Sequence, residues 1–107
     1  MLKPTEIFNA ETICIDDAAI VRLCGELEVT TIDMLRDCLE RVVLTGPARL
    51  VLDLSELDFC DSAGLAVFVE WQRRARSGAF ELVLRSPSPH IRSLLEITLL
   101  TGMLEDG

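Results

Sequence analysis

The order of apolar and turn-forming segments predicts an α/β fold, a single domain spanning residues 1–107. It should hold a mixed, mostly parallel sheet of about four strands with helices packed against it. Three observations carry this expectation. Short β-rich aliphatic runs alternate with longer segments of helical period. Gly and Pro pairs punctuate the boundaries between them. A chain of 107 residues holds one two-layer core and has no room for a second domain.

The elements follow in order. Thr12–Ile15 is a short β-rich run closed by the turn pair Asp16-Asp17, and Ala19–Cys24 is a second run, so the two could form a hairpin. Gly25 then ends the strand or lets another backbone come close. Thr30 or Thr31 opens a helix, with Asp33 three residues after Thr30 as a near capping box. Ile32, Leu35, Leu39, Val42 and Val43 recur on one helical face, and Gly46-Pro47 stops it. Arg49–Leu54 is a compact aliphatic strand, apolar enough to be buried on both faces. A loop through Leu57 and Phe59 then leads to Asp61-Ser62-Ala63-Gly64.

The second helix is expected to turn Leu65, Phe68, Val69, Gln72 and Ala75 inward and to end at Ser77-Gly78. Phe80–Leu84 reads as another strand, after which Ser88 and Pro89 supply an N-cap and a first helical residue. Ile91, Leu94, Leu95 and Thr98 face inward on the third helix. The apolar tail of Leu99, Leu100, Met103 and Leu104 is either core or an exposed contact patch. The pattern is β-β-α-β-α-β-α.

Composition narrows the function classes. Half the residues are apolar and 26% are charged, as in globular proteins, while only 5% are aromatic, so the core must be aliphatic. Eighteen acids against ten bases leave a net charge of −8, which argues against a nucleic-acid partner. Arg73-Arg74-Ala75-Arg76 is read as a solvated helix end, where cations suit the dipole. Cys14, Cys24, Cys38 and Cys60 form no C-x-x-C pair and His90 lies far from them, so neither a metal site nor a cofactor is expected. Each cysteine is read as a small hydrophobe. Cys14 and Cys24 could face each other across the hairpin, but no disulfide is expected without a secretory signal. The first residues lack an apolar leader and no apolar run reaches spanning length, so a cytoplasmic location without membrane insertion is expected.

The chain also lacks enzyme signatures. It has no G-x-x-x-x-G-K-[ST] loop and no G-x-G-x-x-G. A Ser-His-Asp hydrolase would need His90 as base and G-x-S-x-G around Ser62, yet Asp61 precedes Ser62 and Cys60 stands two before it. No catalytic residue is assigned. Ser62 stands out for another reason, since it begins a helix just after a buried strand. Asp61 or Ser62 caps that helix. A hydroxyl there is also well placed to carry a phosphate, because free N–H groups and the dipole stabilise added negative charge. Gly64 is expected to leave the backbone beside it uncovered.

The stretch Leu50-Val51-Leu52-Asp53-Leu54-Ser55-Glu56-Leu57-Asp58-Phe59-Cys60-Asp61-Ser62-Ala63-Gly64-Leu65-Ala66-Val67 resembles the signature of STAS domains, the sulfate-transporter and anti-sigma-factor-antagonist family. Gly25-Glu26-Leu27-Glu28 resembles the Gly-Glu-Leu-Asp after the family's second strand, with Glu in place of Asp. Ser86-Pro87-Ser88-Pro89 and Leu95-Glu96-Ile97-Thr98 resemble the entry and body of its last helix, although Leu99-Leu100 replaces the Gly usual after the Thr. The resemblance implies a STAS-like fold and a bacterial stand-alone anti-sigma factor antagonist. It makes Ser62 the phosphoacceptor, supported by Asp61, Ala63 and Gly64. Glu26, Glu28, Asp61, Ser62 and Leu65 would meet the partner. The implied partners are a serine-protein kinase that is also the anti-sigma factor, and a PP2C-type phosphatase that resets the switch. The alternative it implies is a non-switching STAS subunit of a larger assembly, such as a signalling complex or a lipid-type ABC transporter. Self-association into a homodimer through an exposed strand edge stays open.

Overall fold

The computed structural model describes residues 7–78, 80–98, 102, 104 and 105. Four strands form one sheet in the order β1-β2-β3-β4: β1 (Phe8–Ile15), β2 (Ala18–Leu27), β3 (Arg49–Cys60) and β4 (Glu81–Arg85). Strand β1 runs antiparallel to β2, and β2, β3 and β4 are mutually parallel. Among the described residues three helices follow β2, β3 and β4: α1 (Ile32–Val43), α2 (Ser62–Ser77) and α3 (Pro89–Ile97). The fold class is the one expected, a single mixed sheet with helices against it.

One face of the sheet makes the core. Ala19, Val21 and Leu23 of β2, Leu50, Leu52 and Leu54 of β3, and Leu82 and Leu84 of β4 join a single buried cluster with side chains of all three helices. The opposite face carries the alternate residues, as a period of two requires. There the register aligns Ile13, Ile20, Val51 and Val83 in one row across all four strands.

Several boundaries differ from the expected ones. Strand β1 starts at Phe8, which is 1% exposed, and not at Thr12. Asn9 and Glu11 hide this start in the sequence, because an edge strand tolerates polar residues on its open side. In the hairpin register Cys14 pairs with Ala19, and Cys24 with Asn9, so the two thiols do not face each other. All four cysteines are free, and Cys14 is exposed, so it does not pack as the small hydrophobe expected. Asp16 takes the hairpin turn at φ 54.

Strand β2 continues through Gly25 to Leu27. Gly25 has φ +98, and a Cβ there would run into the Ile7 carbonyl oxygen, so this glycine admits a second backbone and does not end the strand. Strand β3 likewise passes Leu54 and reaches Cys60, replacing the expected loop. Its far half pairs with the end of β2 after register shifts, Gly25 with Leu57 and Leu27 with Cys60. Those irregularities space the buried residues Leu54, Leu57 and Cys60 by three, which a strict alternation would not flag as strand.

Helix α1 buries Leu35, Cys38, Leu39 and Val42. Its N-cap is Thr31, whose side chain makes no cap, so the near capping box through Thr30 and Asp33 does not form. Helix α2 buries Gly64, Val67, Phe68 and Trp71, a face rotated from the expected one. Trp71 is the residue that fixes this rotation: it is 1% exposed, its ring lies 6.3 Å from Phe80, and the Arg74 guanidinium carbon sits 4.2 Å above it. Strand β4 is shifted by one residue from the expected Phe80–Leu84. Helix α3 begins as read, with the Ser88 hydroxyl accepting from the Ile91 N–H at 3.3 Å and Pro89 in the first turn. Of the apolar tail, Leu104 packs on the core and bridges Leu84, while Leu99, Leu100 and Met103 lie outside the described residues.

Candidate functional site

The site is built where β2 and β3 end together. The last pairings of that ladder are Glu26 with Phe59 and Leu27 with Cys60, and the chain then enters α2 through Asp61. Asp61 has extended backbone, and its Oδ1 accepts from the Gly64 N–H at 2.9 Å. That bond caps α2, so of the two capping candidates it is Asp61 that caps. Its second oxygen, Oδ2, accepts from the Val29 N–H at 3.3 Å. The Asp61 N–H donates to the Leu27 carbonyl at 3.1 Å. One residue therefore fixes the end of β2, the loop after it and the start of α2.

Ser62 is the first residue of α2 and is exposed. The Gly64 N–H is taken by the Asp61 side chain and the Leu65 N–H by the Asp61 carbonyl at 3.0 Å, and among the described residues the Ser62 hydroxyl has no hydrogen-bond partner. Gly64 itself is buried, which corrects the expectation that it leaves the backbone open. A Cβ there would lie 2.6 Å from Cys60 Sγ and 2.9 Å from the Leu27 carbonyl oxygen. Glycine lets the first turn of α2 settle onto the sheet, and so sets the height at which Ser62 emerges. Beneath it Cys60 is buried, and burial first, then the Asp61 charge, pushes its thiol up to about 12. Cys60 is consequently no thiolate nucleophile at neutral pH.

The loop after β2 is organised by Thr31, a residue whose sequence position marks only a helix start. Thr31 is fully buried. Its hydroxyl donates to the Glu26 carbonyl at 2.9 Å and accepts from the Glu28 N–H at 3.0 Å. Glu28 is half-buried and its carboxylate accepts from the Thr30 hydroxyl at 2.7 Å. This leaves Val29 at the tip, 68% exposed, and Phe59 at the strand end, 40% exposed. Two exposed apolar side chains thus stand at the same end of the sheet as Glu26, Glu28, Asp58 and Asp61. Neither was anticipated; an apolar residue flanked by acids just outside a motif was the available signal.

The sequence-predicted residues therefore gather as follows. Asp61, Ser62, Ala63 and Gly64 form the entry of α2, and Glu28 joins them through the Val29 tether. Glu26 is exposed at the same end of the sheet. Leu65 is half-buried and packs against the core. His90 lies exposed in the first turn of α3.

Comparisons with known proteins place the chain in a family and a fold. The family described as "Mlab, STAS domain" matches residues 15–105. The chain belongs to the STAS domain family. It is 37% identical over 84 residues to the putative anti-sigma factor antagonist BtrV of Bordetella bronchiseptica, covering 78% of this chain and 72% of that protein. It is 33% identical over 100 residues to the anti-sigma-B factor antagonist of Listeria monocytogenes, covering 94% and 84%. Among solved structures, unphosphorylated SpoIIAA, an anti-sigma factor antagonist, superposes with a TM-score of 0.77 at 23% identity, covering 94% of this chain and 87% of that one. An anti-sigma factor antagonist from Mycobacterium paratuberculosis gives 0.82 at 22%, covering 94% and 86%. These two solved structures share the fold described above. Among the described residues no helix is long and apolar enough to cross a membrane.

Proposed function

We propose that this STAS protein is an anti-sigma factor antagonist and works as a phosphorylation-controlled switch with Ser62 as the phosphoacceptor. The observation that carries the reading is the exposed Ser62 hydroxyl at the first position of a helix whose cap, Asp61, also holds the loop bearing Val29. Relatives at 37% and 33% identity carry the antagonist name, and SpoIIAA, which shares the fold, has been solved in unphosphorylated and phosphorylated forms. In this reading the unmodified end of the sheet, with Val29, Phe59, Glu26 and Glu28 around Ser62, seats a serine-protein kinase that is also the anti-sigma factor, and the sigma factor is released. A phosphate on Ser62 adds nearly two negative charges next to the Asp61 carboxylate, within an already acidic rim. Inside a packed interface that charge is repelled and stripped of water, so the partner dissociates. A PP2C-type phosphatase restores the hydroxyl.

The test is incubation with the cognate kinase and ATP followed by phosphopeptide mass spectrometry. Modification confined to Ser62 and lost in Ser62→Ala supports the site; labelling that survives Ser62→Ala refutes it. The second reading is a non-switching STAS subunit of a larger assembly, since membership of the STAS family fixes the fold and not the role. That reading requires stable co-purification with the assembly regardless of the state of Ser62.

A further inference from the structure

The two edges of the sheet are finished differently. Along β4 the chain covers its own edge: Leu104 bridges Leu84, and the Glu105 N–H donates to the Leu84 carbonyl at 2.9 Å. Strand β1 is the opposite edge, and no described residue pairs with its outer side. An open row of N–H and C=O groups is a template for another strand. The usual protections, Pro and Lys, are absent from its sequence FNAETICI, whose one charge is Glu11. On the face away from the core, Ile13 and Ile15 are 57% and 53% exposed. On the helix side, a groove between β1 and α1 is lined by Ala10, Thr12, Cys14, Cys38 and Arg41.

We infer that this edge takes β1 of a second copy, added antiparallel about a twofold axis normal to the sheet and passing near Ile13. The unpaired backbone demands an extended occupant. The twofold sets each residue opposite one of the same face, so Ile13 meets Ile13 of the second copy and extends the row Ile13–Ile20–Val51–Val83. On the groove side, Thr12 meets Cys14 of the second copy, both small enough for the space over Cys38. Charge selects the same arrangement. Helix α1 lies along β1 in the same direction, since Phe8 and Ala10 neighbour Met34 and Asp37, and Cys14 neighbours Val42 and Thr45. Thr12 Oγ1 sits 3.8 Å from Cys38 Sγ, which places the axis beside the middle of α1. Asp37 and Arg41 lie on the groove rim on either side of that point, and neither has an ion-pair partner among the described residues. The twofold reverses α1 against its copy and brings Asp37 towards Arg41 of the second copy, twice. Ser62, at the end of β3, stays uncovered, so the dimer stands apart from the phosphorylation reading.

Sedimentation velocity of the full chain across a wide concentration range tests this. The wild type is expected to dimerise, and Ile13→Lys to sediment as a folded monomer with unchanged Trp71 emission. Arg41→Glu should weaken the dimer about tenfold by turning two attractions into repulsions, and adding Asp37→Arg should restore it. A wild type that stays monomeric throughout, or a dimer indifferent to both Ile13→Lys and Arg41→Glu, overturns the inference.

Discussion

Asp61 holds Val29: the carboxylate that caps α2 through Oδ1 also accepts the Val29 N–H through Oδ2, at 3.3 Å. The loop of β2 and the helix of Ser62 are therefore one mechanical unit, joined by a single side chain 32 residues away in sequence. The two bonds can be separated. Asp61→Asn keeps an oxygen for Gly64 but presents an amide that cannot accept from Val29, whereas Asp61→Ala loses both. Asp61→Ala should cost about 1 kcal/mol in urea unfolding, the usual worth of a cap. Asp61→Asn should cost less, and should speed hydrogen exchange at Val29 more than at Gly64. Equal exchange at Val29 in wild type and Asp61→Asn would show that the tether is unimportant.

Gly64→Ala pits two effects against each other. An alanine gains up to about 1 kcal/mol of helix propensity. Its Cβ would lie 2.6 Å from Cys60 Sγ and 2.9 Å from the Leu27 carbonyl, and overpacking of that kind costs about 1–3 kcal/mol. The backbone oxygen cannot swing aside, so net destabilisation is expected. Cys60→Ala in the same chain should recover part of the loss, because it removes the sulfur but not the Leu27 oxygen. A double-mutant cycle in denaturant measures the coupling.

The four cysteines should react in a set order. Cys14 is exposed, whereas Cys38 and Cys60 are buried and the Cys60 thiol is pushed up to about 12. Burial, and then the Glu11 charge, also raises the Cys24 thiol. Iodoacetamide at mildly alkaline pH should alkylate Cys14 first, and Cys60 only once the chain is unfolded. Mass mapping of a time course reads this order; early labelling of Cys60 would contradict the packing under Gly64.

Asp53 links stability to pH. Burial pulls its carboxyl upward, but hydrogen bonds from the Ser55 N–H and hydroxyl, together with Arg22, outweigh that and hold it below the usual range. A carboxyl depressed in the fold stabilises it fully above the unfolded value, near 3.9, and loses that contribution as pH falls through the lower folded value. The stability gap between wild type and Asp53→Asn should therefore be constant near neutrality and shrink below about pH 4. A gap that widens with acid would reverse the sign.

Much of this molecule is legible in its sequence, and the reasons for the rest are physical. The element order and the parallel ladder follow from aliphatic runs such as Leu50–Leu54 and from helical spacing in Leu35, Leu39 and Val42. Ser88-Pro89 announces the start of α3 by chemistry that acts locally. Trp71 is different, because its burial depends on Phe80 and Arg74, which a helical wheel does not contain. The far half of β3 was hidden because irregular pairing with β2 sets its burial period at three. At the site, Asp61 and Ser62 were visible as a helix entry. Thr31, Val29 and the packing of Gly64 were not, since each is defined by atoms of another segment.

The central claim is that the charge on Ser62 decides whether the partner stays bound. Titrating the cognate anti-sigma factor kinase with unmodified and Ser62-phosphorylated protein by calorimetry tests it most directly. At least a hundredfold weaker binding of the phosphorylated form, about 2.7 kcal/mol, is predicted. Equal affinity for the two forms would contradict it.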